Sequence, residues 1–221
     1  MIRITLGLAT LLASVSAWSA DIPLYPTGPE KDSAFLRFAN GTDSELKLVA
    51  EGSKASLVLA GDKRVSDYLP VSGGSAPIKG VLSQDGKAAD LAVTVAPGEF
   101  ATVVAVADAK GGLRQVVIHE QPDDFNALKA SLAFINADAA CADASLEAVA
   151  QKAELFKKVA EGSVQRRMIN PVELSVQLKC AGAPVGQPLT FSLKAGERYS
   201  VLALPSETGS RLLFAPDSLA N

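Results

Sequence analysis

From residue 33 onward, short apolar stretches alternate with turn-forming residues. Phe35-Leu36-Arg37-Phe38 runs into Asn40-Gly41, and Leu46, Leu48 and Ala50 alternate with charged or small residues. Leu91-Ala92-Val93-Thr94-Val95 alternates with period two and stops at Pro97-Gly98. Thr102 to Ala107 is an apolar run closed by Gly111-Gly112, after which Val116-Val117-Ile118 begins another. Asp85-Gly86, set between two such stretches, is a hairpin signal because both residues tolerate a left-handed backbone. Period two places alternate side chains on opposite faces of a strand. Short strands at about ten-residue spacing predict an all-β sandwich.

The second half repeats the first in the same order. Leu36-Arg37-Phe38-Ala39-Asn40 matches Leu132-Ala133-Phe134-Ile135-Asn136, and Leu46 to Ala50 matches Leu146 to Ala150. Val93 to Glu99 matches Phe191 to Glu197, and Ala101 to Ala105 matches Tyr199 to Ala203. Pro122-Asp123 matches Pro216-Asp217. A shared order of weak matches is the mark of duplication. The predicted fold is therefore all-β: two tandem immunoglobulin-like β-sandwich domains from an internal duplication, over residues 33–124 and 125–221. The second copy carries about four extra residues near Ala139 to Ala142.

The repeat also decides one ambiguous segment. Asp143 to Gly162 has helical spacing at Leu146, Val149, Ala153, Phe156 and Ala160. The same stretch aligns with strand-like residues from Glu45 to Leu59, so two strands with a turn near Lys152 are expected. Helix propensity is a weak prior where tertiary pairing decides.

The N-terminus has a different character. Met1-Ile2-Arg3 precedes an apolar run from Ile4 to Val15 and then small residues, the pattern of a secretory signal peptide over residues 1–20. Ala17, Ser19 and Ala20 are the candidate cleavage positions, and residues 21–32 form an N-terminal leader. The run is too short to span a bilayer, and no membrane span is expected after signal removal. Removal takes the only Trp, Trp18, and makes the net charge of -3 one unit more negative. Such a chain lacks the basic surface of a nucleic-acid binder. Cys141 and Cys180 are then the only cysteines of an exported chain, which most simply form one disulfide. It closes a loop of about 40 residues, worth about 4 kcal/mol at most in the chain-entropy picture. Both cysteines lie in the second repeat, so the bridge is expected to stabilise that sandwich alone.

Candidate chemistry is sparse. The only His, His119, follows an apolar strand and has Glu120 beside it. A nucleophile needs an adjacent base and an oxyanion site, and Gly73-Gly74-Ser75-Ala76-Pro77 fails the G-x-S-x-G pattern at its last residue. Glu120 and Asp123-Asp124 could form a carboxylate pair or a calcium site. Asp217 in the matching turn instead suggests that these aspartates serve turn geometry. Lys63-Arg64, Lys157-Lys158 and Arg166-Arg167 are short basic clusters balanced by nearby acids, expected on a solvated face. No catalytic, cofactor-binding or metal residue is assigned.

Leu24-Tyr25-Pro26-Thr27-Gly28-Pro29, followed by Ser33-Ala34-Phe35-Leu36-Arg37-Phe38-Ala39-Asn40, resembles the start of the periplasmic alginate O-acetylation protein F family. Leu189 to Tyr199 and the short tail resemble it as well. The resemblance implies a periplasmic protein required for O-acetylation of alginate, an exopolysaccharide of mannuronate and guluronate. It implies an adaptor without the Ser-His-Asp set of the periplasmic alginate O-acetyltransferases, which would be its partners. Alginate itself is a further candidate contact. A polysaccharide-binding module and an unrecognised acetyltransferase are the alternatives.

Overall fold

The computed structural model describes residues 33–108, 110–122 and 126–220. The expected signal peptide and leader, the Asp123-Asp124 pair and the expected boundary between repeats lie outside these residues. The described residues belong to one compact unit. The first repeat supplies β1 (Ser33–Asn40), β2 (Leu46–Ala50), β3 (Ser56–Leu59), β4 (Leu69–Ser72), β5 (Ile78–Gln84), β6 (Lys87–Val93), β7 (Phe100–Ala107) and β8 (Leu113–Glu120). The second supplies β9 (Ala130–Asn136), β10 (Ala144–Ala148), β11 (Ala153–Val159), β12 (Ser163–Ile169), β13 (Val172–Cys180), β14 (Ala183–Leu193), β15 (Arg198–Ser206) and β16 (Gly209–Pro216).

The strands form four sheets of four, and the two repeats have the same order. The first repeat gives β4-β1-β7-β8 and β3-β2-β5-β6; the second gives β12-β9-β15-β16 and β11-β10-β13-β14. In each repeat one ladder is parallel, β1 with β7 and β9 with β15. The all-β tandem of sandwiches is thus present. Each sandwich divides eight strands four and four, where an immunoglobulin constant domain divides seven four and three.

Duplication persists to individual hydrogen bonds. The buried Asn40 amide donates to Ser44 O and Leu59 O while its Oδ1 accepts the Thr42 N–H. Asn136 does the same with Cys141 O, Val159 O and the Asp138 N–H. Gly98 and Gly196 both take φ +76°, and their N–H groups bond Ser33 O and Lys129 O. The alignment needs one adjustment: Leu48 pairs with Leu82 and Leu146 with Leu178, so Leu48 is the counterpart of Leu146. The loop carrying Cys141 is therefore two residues longer than its counterpart rather than four, and a 3-10 turn at Ala139–Cys141 occupies it. The segment from Asp143 to Gly162 contains β10 and β11, with Lys152 in the turn at φ +49°. Leu146 and Phe156 face each other across that ladder inside the core.

Three apolar layers separate the four sheets. Leu36, Phe38, Leu48, Leu82 and Val103 fill the first sandwich, and Leu132, Phe134, Leu146, Val176 and Val201 the second. A third layer lies between the repeats, with Ala39, Val104, Val106 and Ile118 from the first and Ile135, Leu202 and Leu204 from the second. The inner strands β1, β7, β9 and β15 are consequently buried on both faces. That is why Thr102 to Ala107 reads as a continuous apolar run, whereas β6, covered on one face, alternates. The repeats are not independent sandwiches on a string, because each supplies the other with a core face.

Candidate functional site

The layer between the repeats changes from apolar to ionic at one end. Along β1 the positions facing the second repeat are Arg37 and Ala39; along β7 they are Thr102, Val104 and Val106; along β15, Ser200, Leu202 and Leu204. Period two continues each row, so the polar residue of each strand arrives at the same level. Arg166 of β12, Glu120 of β8 and Asp217, just beyond β16, complete the cluster.

Arg37 is fully buried. Its Nη1 donates to Asp217 Oδ1 at 2.6 Å, its Nη2 to Ser200 Oγ at 2.7 Å and its Nε to Thr102 Oγ1 at 2.9 Å. The Tyr68 ring lies against its guanidinium, 4.4 Å from ring centre to Cζ. Arg166 Nη2 donates to Asp217 Oδ2 at 2.8 Å and to Glu120 Oε2 at 3.0 Å, and its Nε donates to the other Glu120 oxygen. Two arginines and two carboxylates make the group neutral, which is the condition for burying charge without a large penalty. Burial opposes ionisation of Asp217, but Arg37, Arg166 and the Ser200 hydroxyl outweigh it and hold the carboxyl below its ordinary value. Burial likewise works against the charge on Arg166, and Glu120 and Asp217 reverse that, so its proton is held more tightly than usual. Tyr68 is shifted the other way: burial, ahead of the opposing field of Arg37, raises its hydroxyl pKa.

The opposite end of the layer carries two more crossings. Arg211 of β16 reaches Asp43 at 2.7 Å and donates to Gly41 O and Thr42 O of the first repeat. Arg114 of β8 reaches Glu161 of the second repeat at 2.6 Å.

Several residues singled out in the sequence have other surroundings than expected. Asp217 is not a solvated turn aspartate, because its carboxylate is enclosed by the two arginines. Arg166 is not on a solvated face, whereas its neighbour Arg167 is exposed enough to cap the Leu155 carbonyl. Glu120 is engaged by Arg166 and is not half of a free carboxylate pair. His119 is 43% exposed, with Nδ1 3.2 Å from Glu99 Oε2 on the adjoining strand end. Cys141 and Cys180 are bonded to each other, their Cα atoms 5.0 Å apart. Lys157 pairs with Glu154, and Arg64 Nε donates to Asn40 O. Among the described residues no group of three or more His, Cys, Asp or Glu is arranged to hold a metal ion. Nor is any helix among them long and apolar enough to cross a membrane.

The two outer faces differ. On the sheet β3-β2-β5-β6 an open groove of about 530 Å³ has Val49, Val81 and Ala92 in its lining, flanked by Glu51, Lys79 and Asp90. On the sheet β11-β10-β13-β14, Glu147 pairs with Lys179 and Thr190 donates to Ser175. The core layers place these faces on opposite sides of the molecule.

The arginine cluster was not recognisable in the sequence. Arg37 stands between Leu36 and Phe38 like any outward residue of an alternating strand. What could have flagged it is the unbroken apolar run of β7, which signals cover on both faces.

The family described as Alginate O-acetyl transferase AlgF matches residues 5–199 of this sequence. Among solved structures, the C-terminal domain of AlgF from P. aeruginosa aligns with 21% identity and TM-score 0.36, covering 40% of this chain and 98% of that one. The Bacillus anthracis TIE protein aligns with 13% identity and TM-score 0.27, over 84% of this chain and 44% of that one. A candidate cell adhesion protein from Bacteroides uniformis aligns with 11% identity and TM-score 0.28, over 87% of this chain and all of that one. No curated protein matches the sequence. The match covers the whole first repeat and the second as far as Tyr199, and on that ground the chain belongs to the AlgF family and takes part in the O-acetylation of alginate.

Proposed function

We propose that this protein is a non-catalytic periplasmic adaptor that brings the alginate O-acetyltransferases together. The observation that carries the reading is the fixed opposition of two outer faces of different chemistry, one with a groove floored by Val49, Val81 and Ala92 and rimmed by charges, the other carrying the Glu147–Lys179 pair and the Thr190–Ser175 hydrogen bond. A shared apolar layer and crossings at both of its ends hold that arrangement, so a partner on one face has a set distance from a partner on the other.

The engagements of the candidate reactive groups support the same reading. Acyl transfer needs a nucleophile beside a base. His119 is turned to Glu99, both cysteines are in the disulfide, and the buried hydroxyls of Thr102 and Ser200 serve Arg37. The family description names a transferase; in this reading the transfer itself is performed by the partners.

The test is capture of periplasmic alginate O-acetyltransferases by the tagged protein, beside an acetyl-ester turnover assay of the purified protein alone. Co-purification without turnover supports the adaptor. Turnover by the isolated protein overturns it, and binding of alginate without any transferase favours a polysaccharide module instead.

A further inference from the structure

The chain does not end with β16. Beyond Pro216 it crosses to the first repeat, where it lies beside Tyr68 in a parallel bridge at Leu219. The Tyr68 N–H donates to Ser218 O at 2.8 Å, and the Ala220 N–H donates to Tyr68 O at 2.9 Å. Both backbone groups of one residue are thus read by an extended segment, as in strand addition to a sheet edge. Asp217 opens that segment, and its carboxylate enters the space between Arg37 and Arg166.

We infer that Tyr68, Arg37 and Arg166 form a receptor for an extended segment headed by a carboxylate, and that the chain's own tail occupies it as a removable pin between the two sandwiches. Arg37 has Thr102 and Ser200 as its other side-chain hydrogen-bond partners, both neutral, so withdrawal of Asp217 leaves a buried cation facing a second arginine. Among the described residues the tail is the one element that answers both charges from the two repeats at once. It follows the last strand, so its loss removes no member of any sheet. The inference is separate from the adaptor reading and needs no partner protein.

The first experiment uses the full chain. In Asp217→Asn, amide hydrogens of Tyr68 and Ala220 should exchange at least tenfold faster than in the unaltered protein and faster than that of Leu82 in the first sandwich, whose protection falls only with the loss of global stability. Unchanged protection at Tyr68 and Ala220 would overturn the inference. The second uses a chain ending at Pro216, to which the peptide Asp-Ser-Leu-Ala-Asn is added. The peptide should raise the melting temperature of the shortened chain and bind at least tenfold more tightly than Asn-Ser-Leu-Ala-Asn. Equal binding of the two peptides, or a shortened chain that melts like the full one, would overturn it. Failure of the shortened chain to fold leaves the exchange measurement to decide.

Discussion

Glu120 and Asp217 occupy the same place in the two repeats, and Arg166 holds both of them. Glu120 lies opposite Phe100 at the end of β8, and the Asp217 N–H donates to Arg198 O at the matching point of β15. The duplicated carboxylate therefore has a counterpart, while its arginines do not: Arg37 stands on β1, where the second repeat has Ala133, and Arg166 stands on β12, across from Ala133. Equivalent positions of the two repeats thus carry the two acids, and two arginines at non-equivalent positions neutralise them.

Removing one partner should therefore cost far more than removing a balanced pair. Arg37→Ala should lose about 3–5 kcal/mol of unfolding free energy by urea denaturation, since it strands part of a buried charge group. Arg37→Met combined with Asp217→Leu leaves Arg166 and Glu120 as a neutral pair and should lie within about 1 kcal/mol of the unaltered protein. A double variant as damaged as the single one would contradict this account of the cluster.

Acid should act through Asp217. Its carboxyl titrates below the ordinary value in the folded protein, so its contribution is complete above the unfolded pKa of about 3.9. That contribution is lost as pH falls through the lower folded value. Urea midpoints should be level from about pH 7 to pH 5 and decline below about pH 4. Asp217→Asn should show a shallower decline over the same acid range.

The disulfide should affect both sandwiches. Replacing Cys141 and Cys180 with alanine should cost about 2–5 kcal/mol. The bridge belongs to the second repeat, but the layer formed by Val104, Ile135 and Leu202 makes each repeat part of the other's core. Calorimetry should give one transition that moves as a whole, in place of an unchanged first sandwich and an earlier second one. Mass spectrometry of the unreduced protein checks the pairing itself, and two free thiols would refute it.

Asn40→Ala and Asn136→Ala should be similarly destabilising. Each removes two side-chain bonds to carbonyls and one accepted N–H in a buried loop, and Asn40→Ala also removes the bond accepted from the Thr42 hydroxyl. Unsatisfied buried groups cost about 1–3 kcal/mol each. Chemical denaturation of the two variants should give losses within about 1 kcal/mol of one another if the repeats use these residues alike.

His119→Ala should leave the acetyl content of secreted alginate unchanged, whereas deletion of the gene should lower it strongly. His119 is exposed and bonded to Glu99, so its loss removes a surface contact. A folded, abundant His119→Ala protein that fails to support acetylation would show that the histidine takes part in the chemistry.

The sheets were legible because each outer strand has one wet face. Leu91 and Val93 alternate with exposed neighbours, and the echo of Val93 to Glu99 in Phe191 to Glu197 carried the assignment across the duplication. The same echo resolved β10 and β11, whose local spacing suits a helix. The ionic cluster was hidden for a physical reason: Arg37 and Asp217 are 180 residues apart, and no local pattern marks residues that meet only after two sheets have packed. The likeness of Pro122-Asp123 to Pro216-Asp217 also drew attention to a short motif, when the true structural counterpart of Asp217 is Glu120.

The crossing of the tail also sets an order on synthesis. Arg37 and Asp217 are 180 residues apart, so the first sandwich emerges from the ribosome long before its buried guanidinium has a counter-charge. Its parallel ladder must also wait, since β1 cannot pair with β7 until five other strands have been made. Distant pairings of this kind fold slowly. The ladder can close once β7 is made, whereas the charge on Arg37 is answered only when Asp217 arrives from the far side of the second repeat.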